Sequence, residues 1–134
     1  MDLSGMLNQM SLKNEEEPFG ESNIKISKEI IDEIQTDIAY CEFTNQLFLI
    51  ITQFGKAGSC LKIAKERLET DIGVEFVYKV DQIFGDITIE QETTARYLAQ
   101  YLDIKKPLLI FVNLTKYNKE TVKEIGCCIK KVIS

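Results

Sequence analysis

The chain has 134 residues, of which 45% are hydrophobic and 28% charged, and its formal net charge is -5. This length and balance predict one soluble globular domain with a substantial core, and they leave no room for two ordinary domains. The negative charge opposes binding to nucleic acid and to anionic membranes, and the apolar runs fall far short of the roughly 20 residues of a membrane helix, so neither partner is expected.

The first 22 residues are predicted to be a flexible tail, because they contain an acidic run and no sustained apolar period. The alternative is a partner-binding arm that uses Met6, Leu7 and Met10. Residues 23–134 are predicted to form the single domain. The start of the chain lacks the basic segment and apolar core of a secretory signal, so we expect a cytoplasmic location, with the nucleus as a second compartment.

Strand patterns begin at Ile24 and continue to residue 43, interrupted by a polar break at residues 35–37. Strand is favoured throughout, although the spacing of isoleucines in residues 28–34 also fits a short helical segment. Thr44 and Asn45 then suit a hairpin turn that leads into the next strand, because asparagine tolerates a positive φ.

Residues 47–54 form a buried strand that is apolar on both faces. Leu47, Leu49 and Ile51 point to one side, and Phe48, Ile50 and Phe54 are predicted to point to the other. Phe54 is expected to fill the core. Two glycines, at positions 55 and 58, then bracket a turn.

Two further strands are predicted after the glycine turn, over residues 60–64 and 74–84, with the charged residues 65–71 as a loop between them. Because these strands are sequential and separated by short polar turns, the simplest pairing is an antiparallel meander.

Two amphipathic helices and one more two-sided apolar strand complete the pattern. Thr88 and Gln91 fit a capping box at the start of the first helix, residues 108–114 form the strand, and Asn118 caps the last helix. The buried stripes are predicted to be Ala95, Leu98, Ala99 and Leu102 on the first helix, and Val122, Ile125, Ile129 and Val132 on the last.

The fold class is therefore α+β: an antiparallel sheet of about six strands in the order βββββαβα, with both helices on one face. A soluble monomer rarely exposes a large apolar patch, so the other sheet face requires a cover. We favour a dimer through that face, with Phe48, Ile50, Leu109 and Phe111 as candidate contacts. The alternative is a sheet that curls and buries this surface against its own loops.

No residue set points to catalysis, a metal or a cofactor. The chain has no histidine, and its four cysteines lack CxxC spacing, so reduced and mostly buried thiols are expected. The Gly55-Lys56 loop lacks the glycine spacing of a phosphate-binding loop. A small enzyme that uses Lys56 or Cys127 stays open as a minor alternative, and we expect no enzymatic activity.

One segment carries a family resemblance. Residues 49–59 resemble the strand and turn of proteasome assembly chaperone 3, and the matching positions are Thr52, Gln53, Phe54, Gly55, Lys56 and Gly58. The resemblance implies a non-enzymatic chaperone that pairs with itself or with the related chaperone 4 and helps 20S proteasome α subunits assemble into their ring. It also implies an antiparallel sheet with helices on one side and a dimer built through the sheets. The alternative is a small scaffold subunit of a signalling or trafficking complex with a similar domain.

Overall fold

The fold is described for residues 24–55 and 58–134 of a computed structural model. In these ranges the chain forms strands and helices in the predicted order. The strands are β1 (Lys25–Ile31), β2 (Ile34–Glu42), β3 (Leu47–Gln53), β4 (Ser59–Thr70), β5 (Gly73–Phe84) and β6 (Leu108–Asn113), and the helices are α1 (Ile89–Tyr101) and α2 (Lys119–Ile133). The predicted tail over residues 1–22 and the motif residue Lys56 lie outside the described residues.

The six strands form one mixed sheet in the spatial order β1-β2-β3-β6-β4-β5. The predicted antiparallel meander is wrong at one point, because β6 lies between β3 and β4 and runs parallel to β3. The cause is α1, which connects β5 to β6. A helical crossover carries the chain back along the sheet, so β6 runs in the same direction as β5, and both are antiparallel to β4 between them.

The two central strands, β3 and β6, are the two whose sequences are apolar on both faces. A central strand is covered by side chains on both sides of the sheet, so it tolerates an apolar residue at every position. Their parallel register places Phe48 beside Leu109 and Ile50 beside Phe111. The composition of these strands thus predicted their central place but not which strands lie beside them.

The first half of the sheet follows its predicted strands. Residues 28–34 are extended rather than helical, and they turn at Asp32 and Glu33, both with positive φ. The polar break at residues 35–37 lies inside β2, where Thr36 is fully buried. The predicted turn at residues 44–45 joins the antiparallel strands β2 and β3.

Both helices pack on one face of the sheet, and local hydrogen bonds begin them where predicted. The Thr88 hydroxyl accepts from the Gln91 backbone N–H at 3.0 Å, and the Thr88 N–H donates to Gln91 Oε1 at 3.0 Å. Asn118 Oδ1 accepts from the Thr121 N–H at 2.8 Å. In the predicted stripes, Ala95, Leu98, Ala99, Val122, Ile125 and Ile129 are buried, and Leu102 and Val132 are partly buried against the same core.

The charged segment predicted as a loop, residues 65–71, is mostly strand. β4 continues to Thr70 and pairs with β5 along its full length, but its pairing with β6 stops at Ile63. Residues 64–70 and 73–79 therefore form a two-stranded arm that projects beyond the rest of the sheet. The prediction was wrong because residues 65–71 are exposed and charged and show no apolar alternation, so pairing with β5 rather than burial of an apolar face makes this segment a strand.

Candidate protein-interaction site

The sheet face opposite the helices, here called the open face, carries all four predicted dimer contacts. Phe48 and Ile50 alternate with the β3 residues that face the helices, and their register partners Leu109 and Phe111 do the same on β6. Ile50 and Phe111 are already buried within the single chain, whereas Phe48 and Leu109 are partly exposed. The open face is therefore partly covered by its own chain and partly accessible.

An apolar row crosses the open face from one edge of the sheet to the other. Successive register pairs join its members, which are Ile26, Ala39, Ile50, Phe111, Cys60 and Phe84. The four inner members are buried, but the outer two remain about half exposed, Ile26 at 49% and Phe84 at 48%. Every strand of the sheet thus contributes one apolar side chain to the same line.

Three phenylalanines cluster near one end of this row. The Phe111 ring lies 5.6 Å from the Phe48 ring and 5.5 Å from the Phe84 ring, measured between centroids. These tilted and edge-on geometries are the favourable ones for aromatic pairs. Phe84 was missed as a candidate contact because its place beside Phe111 depends on β4 lying next to β6, which no local sequence signal reports.

Charged side chains border the apolar row. On one side Lys62 lies opposite Asp81 in the β4–β5 register, and on another Lys28 lies opposite Asp37 in the β1–β2 register. Both lysines are exposed. An apolar centre with a polar border is the usual anatomy of a protein–protein interface.

The family-motif residues Thr52 and Gln53 are buried, and Gln53 connects three elements. Its Nε2 donates to Thr36 Oγ1 on β2 at 3.0 Å. Its Oε1 accepts from the backbone N–H of Thr115 at 2.8 Å and from the Thr115 hydroxyl at 2.6 Å. Gln53 therefore ties the loop after β6 to the ends of β2 and β3, which is a structural role.

Phe54 was predicted to fill the core, and this prediction is wrong. The side chain projects into solvent with 70% of its surface exposed. Phe54 adopts a left-handed conformation with φ of 64°, and Gly55 follows at 67°. A non-glycine residue in the left-handed region of φ and ψ lowers the stability of the fold by about 1–2 kcal/mol. Burial of the Phe54 ring offsets little of this cost, because the ring is mostly exposed. Such strain at an exposed aromatic side chain is typical of a functional position.

Gly58, the last motif residue, packs closely against β6. A Cβ atom built on Gly58 would lie 3.3 Å from the Asn113 Cβ, which is tighter than nearly all real contacts of this kind. The glycine thus permits close approach of the chain as it enters β4. Gly55 has the positive φ predicted for a turn glycine, whereas Gly58 does not, and its closeness to Asn113 is the constraint on that position.

The cysteines show the burial expected of reduced thiols. Among the described residues all four are free, and Cys127 alone of these is exposed. Burial raises the pKa of the Cys60 thiol to about 11 and also raises the pKa of the Cys41 thiol. Cys41 and Cys60 both lie on the open face.

Thiol labelling at pH 8 is expected to separate these sites. Because Cys60 is buried and the raised pKa of its thiol disfavours the reactive thiolate, iodoacetamide should modify the exposed Cys127 about tenfold or more faster than Cys60. Mass spectrometry of timed samples measures the rates, and the Cys127→Ser variant should lose the fast phase. Equal rates at Cys60 and Cys127 in the folded protein would contradict the burial described.

The described residues contain neither a candidate metal site nor a helix suited to span a membrane. No group of three or more cysteine, aspartate or glutamate side chains is placed to hold a metal ion. No described helix is both long and apolar enough to cross a membrane.

Comparisons with known proteins point to one family. A family model for proteasome assembly chaperone 3 matches residues 49–132. The fold is similar to a chain in a crystal structure described as a novel chaperone complex for yeast 20S proteasome assembly, with a TM-score of 0.69 and 15% sequence identity. This likeness covers 84% of this chain and 99% of that chain. A search of curated proteins found no match.

Proposed function

The chain belongs to the proteasome assembly chaperone 3 family, and we propose on that basis that it promotes assembly of the 20S proteasome α-ring as a dimer joined through its open face. The proposal assigns two surfaces to two partners. The open face takes a second chaperone subunit, either another copy or a chaperone 4-like chain. The turn that carries Phe54 takes a proteasome α subunit.

The observation that carries the dimer is the apolar row across all six strands. Its ends, Ile26 and Phe84, stay about half exposed in the single chain, and Phe48 and Leu109 beside it are partly exposed. Two such sheets stacked about 10 Å apart would remove these side chains from water. Association would therefore bury the outer members of the row and the two partly exposed side chains beside it, since the inner members are already buried within one chain.

The charged border is expected to influence how the two subunits orient as they associate. Lys62 lies opposite Asp81, and Lys28 lies opposite Asp37, so each side of the border carries both signs of charge. Such pairs at the border of an interface contribute orientation and association rate more than affinity. The affinity of the dimer is then expected to depend on the phenylalanine cluster.

Phe54 is the proposed contact with the α subunit. It is exposed, strained and held in place by the buried Gln53 beside it, whose hydrogen bonds fix the end of β3. Exposed aromatic side chains on a rigid support are typical anchors of protein interfaces. The action proposed is binding alone, without a catalytic step.

Capture from cell extract tests this assignment. The tagged full chain is expected to recover proteasome α subunits and a chaperone 4-like chain, and Phe54→Gly is expected to lower α-subunit recovery about tenfold or more. The same change should leave the free energy of unfolding within about 1 kcal/mol, because glycine relieves the left-handed strain. Quantitative mass spectrometry and urea unfolding provide the two readouts.

Ile72→Ala is the matched control, since it removes an exposed apolar side chain from the tip of the β4–β5 arm, at the opposite end of β4 from the Phe54 turn. It should not change α-subunit recovery. Capture of no α subunit by the unaltered chain would overturn the proposed function. Equal recovery by the Phe54→Gly chain would remove Phe54 from it.

A further inference from the structure

The projecting β4–β5 arm ends the sheet in a long strand with a free edge. β5 spans 12 residues, and within the described residues it pairs with β4 alone. Natural proteins usually protect such an edge by shortness, charge or cover, because its unpaired N–H and C=O groups can accept another strand. The edge is also apolar in places: Val74 and Phe76 are exposed, Phe76 at 58%.

The sequence of β5 is complementary to itself in one antiparallel register. When two copies pair about Val77, Glu75 of each lies opposite Lys79 of the other, and Phe76 lies opposite Tyr78. Val74 then lies opposite Val80. A two-fold axis perpendicular to the sheet requires opposed residues to share a face, and all of these pairs do.

The neighbouring symmetric registers lack this complementarity. Pairing about Tyr78 would place Glu75 opposite Asp81, two like charges, and Phe76 opposite Val80, and it would leave only Tyr78 opposite itself as an aromatic pair. Pairing about Phe76 would leave Glu75 opposite Val77. Opposite charges and aromatic pairs directly across a sheet are stabilising, and like charges are destabilising, so one register is selected.

From this complementarity we propose that β5 is a second self-association edge, which joins two copies of this chain into one continuous sheet centred on Val77. Both copies keep their helices on the same side, so each open face stays free for the subunit proposed above. Edge pairing would add strands to the arm, which is two-stranded and mostly exposed in the single chain.

Three described contacts within one chain compete. Arg96, which is also paired with Glu92 at 3.1 Å, donates from Nε to the Tyr78 carbonyl at 3.3 Å. Lys79 Nζ lies 4.0 Å from Glu66 Oε1, and Lys65 Nζ lies 4.9 Å from the centre of the Phe76 ring. All three cations are exposed, and exposed ion pairs contribute little, so their side chains can exchange partners.

Disulfide trapping tests the register in the full chain. Val77→Cys is made together with Cys127→Ser, which removes the exposed native thiol, and with Phe48→Asp, which is expected to abolish open-face dimers. With diamide as oxidant, which takes two electrons and two protons from the two thiols, a covalent dimer is expected because directly opposed Cβ atoms lie within reach of a disulfide. Ile72→Cys in the same background is the control, since position 72 is highly exposed but is not opposed to itself in this register.

A charge exchange supplies the second measurement. Adding Glu75→Lys to the Val77→Cys chain should lower the cross-linked fraction about tenfold, because two like-charged pairs then face each other, and adding Lys79→Glu as well should restore it. Cross-linking of Val77→Cys no greater than that of Ile72→Cys would overturn the proposal. So would a double charge variant that fails to recover.

Discussion

In a chain that carries Glu75→Lys, so that the β5 edge does not associate, replacing Phe48 by Asp is expected to convert the open-face dimer to a monomer at micromolar concentration. Phe48 lies on the open face, partly exposed and 5.6 Å from the Phe111 ring. A two-fold interface would enclose two new carboxylates in an apolar centre, at a cost of about 3 kcal/mol or more, which is at least a hundredfold in the dissociation constant. Sedimentation velocity measures the mass.

Two companion variants make this result interpretable. Phe84→Asp changes a more exposed member of the same cluster, so it should dissociate the dimer with less risk to the fold. Ile89→Asp adds the same charge at an exposed position in the first turn of α1, where an acidic residue suits the helix dipole, and should leave the mass unchanged. Folded chains that stay dimeric with Asp at positions 48 and 84 would exclude the open face as the interface.

Replacing Gln53 by Leu is expected to lower the free energy of unfolding by about 1–3 kcal/mol. Leucine nearly preserves the volume but removes the hydrogen bonds to Thr36 and Thr115. The Thr115 N–H then loses its partner, and Thr36 keeps only its bond to the Ile34 carbonyl. Urea unfolding followed by circular dichroism measures the change, with an unchanged denaturant slope if the two states are otherwise the same.

Gln35→Leu is the control for this experiment, because the Gln35 side chain is exposed and its bond to Asp37 Oδ1 is long, at 3.3 Å. It should change stability by no more than about 0.5 kcal/mol. If the two variants unfold at the same urea concentration, Gln53 does not join the strand ends in solution.

Ionisation of Tyr40 is expected to lower the stability of the fold at high pH. Burial, followed by the charge of Glu42, raises the pKa of Tyr40 to about 12. The unfolded chain releases this proton near pH 10 and the folded chain does not, so stability falls between about pH 10 and pH 12. Unfolding at neutral pH avoids this contribution.

Both helices could be predicted from sequence because the interactions that begin and bury them join residues close in the chain. The capping bonds of Thr88 and Asn118 reach three residues forward. The buried stripes repeat with the helical period, so the spacing of apolar residues predicts which face of each helix packs against the sheet. No knowledge of the strand order is needed for either feature.

Phe54 and the β4–β5 arm could not be predicted in the same way. Whether an aromatic residue after a strand is buried depends on the sign of its φ, and no pattern in residues 47–54 reports that Phe54 is left-handed. The β4 half of the arm has no apolar alternation, so its charged residues resembled a loop. Only the pairing of its two backbones reveals the strands.

The amino-acid sequence alone determined the order of strands and helices, which side of each helix is buried and which two strands are apolar on both sides, but not the extension of β4 through residues 65–70. The tertiary structure decided that β6 enters between β3 and β4, and thereby that six apolar side chains line up across the open face. The physical reason is the distance along the chain over which each interaction acts. Propensity, capping and periodicity act within a few residues. The neighbours of a strand are selected by long-range packing, which must cover the apolar faces of all strands at the same time.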